Sequence, residues 1–142
     1  MPAEGDRQFV DTNVLVYAHD TSAADKHTRA KALIRELWDS GLGCLSIQVL
    51  QEFYVVVTRK VPRPLEPEKA ARLIADLACW QVHVPHVADI LEAIAIQQEA
   101  NISFWDAMIV RSAQALGCRT LWSEDLSHRR AFGNVKVTNP FL

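Results

Sequence analysis

Cysteine is scarce, with three residues in 142, at positions 44, 79 and 118. The odd number, the wide spacing and the lack of any C-x-x-C pair exclude a disulfide framework and a zinc-finger arrangement, leaving buried thiols as the reading. An excess of charge is lacking too: 15 Lys and Arg stand against 17 Asp and Glu, for a formal net charge of −2. Without a global basic field, any contact with nucleic acid must rest on a local patch or a metal ion. No apolar run approaches the roughly 20 residues that cross a bilayer. The stretch Met1-Pro2-Ala3-Glu4-Gly5-Asp6-Arg7 lacks the basic-then-apolar order of a secretory signal, so a cytoplasmic protein with no membrane contact is expected. A G-x-S-x-G elbow and a G-x-x-x-x-G-K-[ST] loop are both missing. His19, His27, His83, His86 and His128 include no helical pair bracketing an acid, so a histidine metal site is not indicated.

Hydrophobic residues make up 49% and charged residues 23%, an ordinary globular mixture that fits one domain over residues 1–142. Gln8-Phe9-Val10 reads as a short strand and Asn13 to Ala18 as the helix after it, with Asp11 at the turn. Ala23 to Ser40 has the period of an amphipathic helix, with Ala30, Leu33, Ile34, Leu37 and Trp38 on one face, stopped by Gly41-Leu42-Gly43. Cys44-Leu45 reads as a buried strand, and Ser46 caps a helix from Ile47 to about Lys60. The proline-rich Val61 to Pro67 is a rigid connector, and Pro67 suits the first turn of a helix facing inward through Ala70, Leu73, Ile74 and Leu77. Gln81 to Val84 alternates as a strand. Val87 to Ala100 is expected to be helical with Ile90, Leu91 and Ile94 inward. Ser103 to Leu116 forms another helix, ended by Gly117, before strands at Arg119 to Trp122 and around Val135 to Val137. Strands alternating with helices predict a mostly parallel sheet covered on both faces.

Four acids in this pattern have no local ion-pair partner. Asp11 and Asp125 lie just past strand ends, where open α/β sheets bind ligands. Glu52 has Gln48, Val49, Val55 and Val56 at helical neighbour positions, none of them a cation. Asp106 sits in the apolar setting Ile102-Ser103-Phe104-Trp105-Asp106-Ala107-Met108-Ile109-Val110. Each also has an ordinary reading: Asp11 as an N-cap, Glu52 as a solvated helix acid, Asp106 as half of a capping box, Asp125 as a turn former. Brought together at the sheet's carboxyl edge, they would repel one another until a divalent cation bound, and an all-oxygen shell suits Mg²⁺ or Mn²⁺.

The stretches FVDTNVLVYA, SIQVLQEF, ISFWDAMIV and LWSEDL, in this order and spacing, resemble the PIN domain family of metal-dependent ribonucleases, and within it the VapC toxins of VapBC toxin–antitoxin pairs. The resemblance implies a three-layer α/β/α sandwich around a five-stranded, mostly parallel sheet. It implies Asp11, Glu52, Asp106 and Asp125 as metal-binding acids, with Asn13 and Ser123 as polar supports. It also implies Mg²⁺-dependent (or Mn²⁺-dependent) hydrolysis of RNA, a homodimer, and a VapB-like antitoxin whose tail occupies the active-site groove. Asp20 and Glu124 rank as lesser candidates for the acid site. RNA reaching an acidic pocket needs a cationic rim, for which Lys26, Arg29 and Lys31, Arg59, Lys60 and Arg63, and Arg129 and Arg130 are candidates, each also readable as a solvated face. Two other readings remain: a PIN-like module that processes or binds RNA or protein without toxin activity or cleavage, and a phospho-acceptor domain, which usually needs a second acid where Asn13 stands.

Overall fold

The computed structural model describes residues 5–142; Met1 to Glu4, part of the stretch read for a leader, lie outside the described residues. Strand β1 (Gln8–Val10) leads into α1 (Thr12–Tyr17), a 3-10 turn (Thr21–Ala23) and α2 (Asp25–Ser40). Then follow β2 (Gly43–Ser46), α3 (Ile47–Arg59), α4 (Pro67–Leu77), β3 (Gln81–His83), α5 (Val87–Ala100) and α6 (Phe104–Ala115). The chain closes with β4 (Thr120–Trp122), β5 (Ala131–Phe132) and β6 (Val135–Thr138). The sheet order is β3-β2-β1-β4-β6-β5. All neighbouring pairs are parallel except β5 with β6. The five expected strands are thus present, and a sixth adds an antiparallel edge. At two residues β5 is too short to show an alternating pattern, and it turns into β6 through Gly133-Asn134, with Gly133 at φ 61°.

Every residue of β2 is buried, as are Phe9, Val10, Leu121 and Val137 on the strands around it. Helices on both faces account for this, and parallel strands need such crossovers. Caps follow the sequence expectation: Ser46 accepts from the Val49 amide, Pro67 opens α4, and Gly41 and Gly117 take the left-handed conformation after α2 and α6.

Two expectations are corrected. Ile90 (41% exposed), Leu91 (62%) and Ile94 (37%) do not face inward. Helix α5 instead packs on α6 through Ala93, which meets Ala107 and Met108, and through buried Asp89. The Asp89 carboxylate accepts from Arg111 Nε (2.9 Å) and the His86 amide (2.8 Å) and lies 3.4 Å from His83 Nε2, tying β3, α5 and α6 together. Small residues let the two helices approach closely, which turns the longer side chains outward. Cys79 is the second correction, because it is exposed while Cys44 and Cys118 are buried.

Candidate active site

Helices in a parallel crossover run antiparallel to the strands, so α1, α3 and α6 all begin at the carboxyl edge of the sheet. Strand order reverses beside β1, between β2 and β4, and such a switch point opens a crevice there. Val10 pairs with Trp122, so Asp11 and Ser123 are the next residues on adjacent strands. Ser123 donates its hydroxyl to Asp11 Oδ2 (2.8 Å) and accepts from the amides of Asp125 (3.2 Å) and Leu126 (3.3 Å). Asp11 Oδ1 takes the Thr12 amide at 2.7 Å as the cap of α1. Asn13 Nδ2 donates to Asp125 Oδ2 (2.8 Å), so the two sides of the crevice are cross-linked at Asp11 and again at Asp125. Both polar supports expected from the sequence therefore touch an acid.

Asp106 stands in the first turn of α6, where its amide donates to Ser103 Oγ at 3.0 Å. The return bond of a capping box is not formed, which leaves its carboxylate for the crevice. Asp106 carries charge close enough to both Asp11 and Asp125 to raise their pKa values. Burial pushes Asp11 from 3.8 up to about 7, opposed by its bonds from Ser123 and Thr12, and the charges of Asp125 and Asp106 push the same way as burial. Asp125 is also raised, first by desolvation and then by Asp106. Glu52 is exposed and more loosely tied, accepting from Thr12 Oγ1 at 3.4 Å.

Among the described residues, no three His, Cys, Asp or Glu side chains stand close enough together to hold one metal ion as they are. The acids share an electrostatic field without yet sharing a coordination sphere. The donor chemistry nevertheless fits a hard divalent cation, because every candidate ligand is an oxygen and the cluster's own repulsion favours a positive charge. Gln48 adds to this. It precedes Glu52 by one helical turn and donates to the Trp105 carbonyl (3.2 Å) beside Asp106, while its buried Oε1 has no hydrogen-bond partner. A buried oxygen without a partner is a place for a water or a cation. Thr12 and Gln48 were not singled out from sequence; the i, i+4 relation of Gln48 to Glu52 was the available signal.

The lesser acids separate from this group. Asp20 caps the 3-10 turn through Ser22. Glu124 is held by Lys26 Nζ (2.7 Å) and the Tyr17 hydroxyl (3.2 Å), so Lys26 neutralises an acid next to Asp125. Arg29, Arg59, Arg63 and Arg129 are exposed. Arg130 is half-buried, donating to the Ala100 carbonyl at 2.6 Å and lying 4.9 Å over the Phe132 ring, which engages it structurally.

A family model for the PIN domain matches residues 9–133. The chain belongs to the PIN domain family. Its fold is also that of a chain in a toxin–antitoxin complex from Klebsiella pneumoniae, 19% identical with a TM-score of 0.70 over 94% of this chain and 97% of that one. A second solved structure, the sarcin-ricin loop cleaving toxin VapC20 of Mycobacterium tuberculosis, is 22% identical with a TM-score of 0.62 over 83% of this PIN domain and 91% of that chain. At these identities the likeness shows a shared fold. No curated protein matches the sequence.

Proposed function

We propose that this PIN domain is a Mg²⁺- or Mn²⁺-dependent endoribonuclease acting in the cytoplasm as the toxin of a toxin–antitoxin pair. The observation that carries the nuclease reading is the crevice at the β1–β4 switch point, where Asp11 is raised by burial and by the charges of Asp125 and Asp106, and Asp125 by desolvation and by Asp106. Asp11, Asp106 and Asp125 would hold the cation, with Glu52 at the margin. When bound, the cation polarises the scissile phosphate and lowers the pKa of a water nucleophile. Ser123 and Asn13 fix the rotamers of Asp11 and Asp125, and Gln48 holds the starts of α3 and α6 together.

The toxin reading draws on the resemblance to VapC toxins and on the two solved neighbours, described as a toxin–antitoxin complex and a toxin. Beside Glu52 a groove of about 440 Å³ is lined by Ile47, Leu50, Tyr54, Val55 and Ile74, a face suited to the apolar side of an antitoxin helix. The outward row Val87, Ile90, Leu91 and Ile94 on α5 is the surface we assign to a homodimer contact.

The rival reading, a PIN-like module that binds without cutting, is favoured by the lack of three convergent ligands among the described residues. Cleavage of a panel of structured RNAs separates the two. The nuclease reading expects cleavage with Mg²⁺ or Mn²⁺, none in chelator, and a loss of at least a hundredfold in Asp106→Asn. Cleavage that survives both chelator and substitution would sink the metal mechanism, and binding without any cleavage would favour the rival.

A further inference from the structure

Away from the acids, a cavity of about 390 Å³ lies where the end of α1 meets α2 and α4. Its functional lining is His19, His27, Lys31, Arg35, Trp38 and Lys69. The volume falls within the roughly 300–1,000 Å³ of small-ligand sites. An adjoining cavity of about 340 Å³ shares His19 and Trp38, so the Trp38 ring stands between two concave spaces, and Asp76 is the carboxylate lining the second.

The charge of the first cavity is unbalanced. Among the described residues, the ion pairs are Lys26–Glu124 and those made to Asp89, so Lys31, Arg35 and Lys69 have no carboxylate partner. Burial holds the His19 imidazole below its ordinary pKa, and the positive charges of Lys69 and Lys31 push it the same way. His27 has its Nδ1 on the Tyr17 carbonyl (2.8 Å), which leaves the other ring nitrogen for an incoming group. Three unpaired cations lining one concavity are unusual in a chain whose formal charge is −2, because nothing in the fold requires them to be close together.

The aromatic component is positioned as well. Trp38 is 42% exposed, a large ring left open to solvent on an otherwise amphipathic helix. It packs edge-on against Trp80, with ring centroids 5.4 Å apart at 73°. Trp80 is in turn backed by β2 at Gly43, where any Cβ would fall 2.5 Å from its ring. His19 is similarly braced on Phe53 (5.5 Å), the residue after Glu52. A supported, exposed indole rimmed by cations is the arrangement that stacks a base and neutralises its phosphate. The six residues of α1 span about 9 Å at 1.5 Å per residue, so the cavity lies a short step from Asp11.

We propose that this cavity is a second anchoring site for a single-stranded segment of RNA, in which Trp38 stacks a base and Lys31, Arg35 and Lys69 hold the adjacent phosphates. The choice of RNA over an acidic peptide rests on the phosphodiesterase reading of the acid crevice and on the supported indole, which a peptide carboxylate does not need. A strand held here and at Asp11 together is fixed in register relative to the acids, so the cavity acts on substrate choice and binding, not on the chemical step.

The test is binding of a short fluorescein-labelled single-stranded oligoribonucleotide to the full chain in chelator, read by anisotropy over a series of salt concentrations. Lys31→Gln with Lys69→Gln should weaken binding about tenfold and flatten the logarithmic salt slope by roughly 0.7 for each phosphate no longer neutralised. Trp38→Leu should weaken it by about tenfold, with Trp38→Phe retaining most of the affinity. Melting temperatures accompany the Trp38 variants because of the Trp80 contact, while the two lysine changes, at exposed positions, leave the packing alone. Affinity and salt slope unchanged in the lysine variant would overturn the proposal. So would polyglutamate binding in place of the oligonucleotide with the same dependence on Lys31 and Lys69, which would make this a site for an acidic partner segment. Cleavage is a separate readout. RNA held at Trp38 but never cut with any divalent ion would defeat the nuclease reading alone, whereas normal cleavage of sub-saturating RNA by the lysine and Trp38→Leu variants would defeat this one alone.

Discussion

Asp11 carries two roles that conflict at neutral pH. It caps α1 and bonds Ser123, which favours the carboxylate, yet its burial favours the neutral acid and dominates, placing the pKa at about 7. The folded protein therefore keeps a proton that the unfolded chain releases near pH 4. Stability in chelator should fall as pH rises from about 4 to 7, by an amount on the order of a few kcal/mol. Asp11→Asn should remove that fall and raise the melting temperature at pH 7 while abolishing cleavage; identical pH dependence in wild type and variant would refute the assignment. Added Mg²⁺ or Mn²⁺ should raise the melting temperature of wild type and not of Asp11→Asn. Ser123 is the second critical residue, since its buried hydroxyl serves one carboxylate oxygen and two amides. Ser123→Ala should cost about 1–3 kcal/mol in denaturant unfolding and shift the acid limb of the cleavage profile upward, because the hydroxyl that stabilises ionised Asp11 is gone.

At the scale of elements, three helix starts do the positioning. The caps Asp11, Ser46 and Ser103 place α1, α3 and α6 at one edge of the sheet, and their amide ends offer partial positive charge to the acids gathered there. Ser103→Ala removes a cap worth about 1 kcal/mol, or roughly 3 °C in melting temperature for a chain of this size. It should lower cleavage less than Asp106→Asn does, since the Asp106 carboxylate remains. These caps were legible from sequence, as were, among the described residues, all six helices and five of the six strands. Strand β5 was not, because two residues cannot carry a period. The inward face of α5 was not legible either, because Ile90, Leu91 and Ile94 have the spacing of a core stripe, while the contact is made by Ala93 and by Asp89 under Arg111.

For the molecule as a whole, exposed apolar surface is concentrated on α5, with Val87 at 73% and Leu91 at 62% exposure. A homodimer that buries this row should dissociate in Leu91→Glu. Sedimentation should then show a dimer for wild type and a monomer for the variant, without loss of helical content; a wild-type monomer would reassign the surface. No described helix is long and apolar enough to cross a membrane, in keeping with the composition. The cationic cavity at Trp38 belongs to the same scale, because its cations come from α2 and α4 and its support from β2 and the loop before β3.

The sequence by itself determined the alternation of strands and helices, the caps, and which acids lack local partners, since all of these follow from residue type and short-range spacing. It also carried the family, through four short motifs around Asp11, Glu52, Asp106 and Asp125. Only the tertiary structure decided what those acids touch. The order of strands set Asp11 beside Ser123, and Asn13 beside Asp125, across more than a hundred residues of chain. Lys26, expected on an RNA-binding rim, pairs with Glu124, and Arg130 bonds the end of α5. Lys31, Arg35 and Lys69 converge on one exposed tryptophan. Charge and polarity are properties of a residue, but desolvation, pairing and convergence depend on neighbours that only the fold brings together.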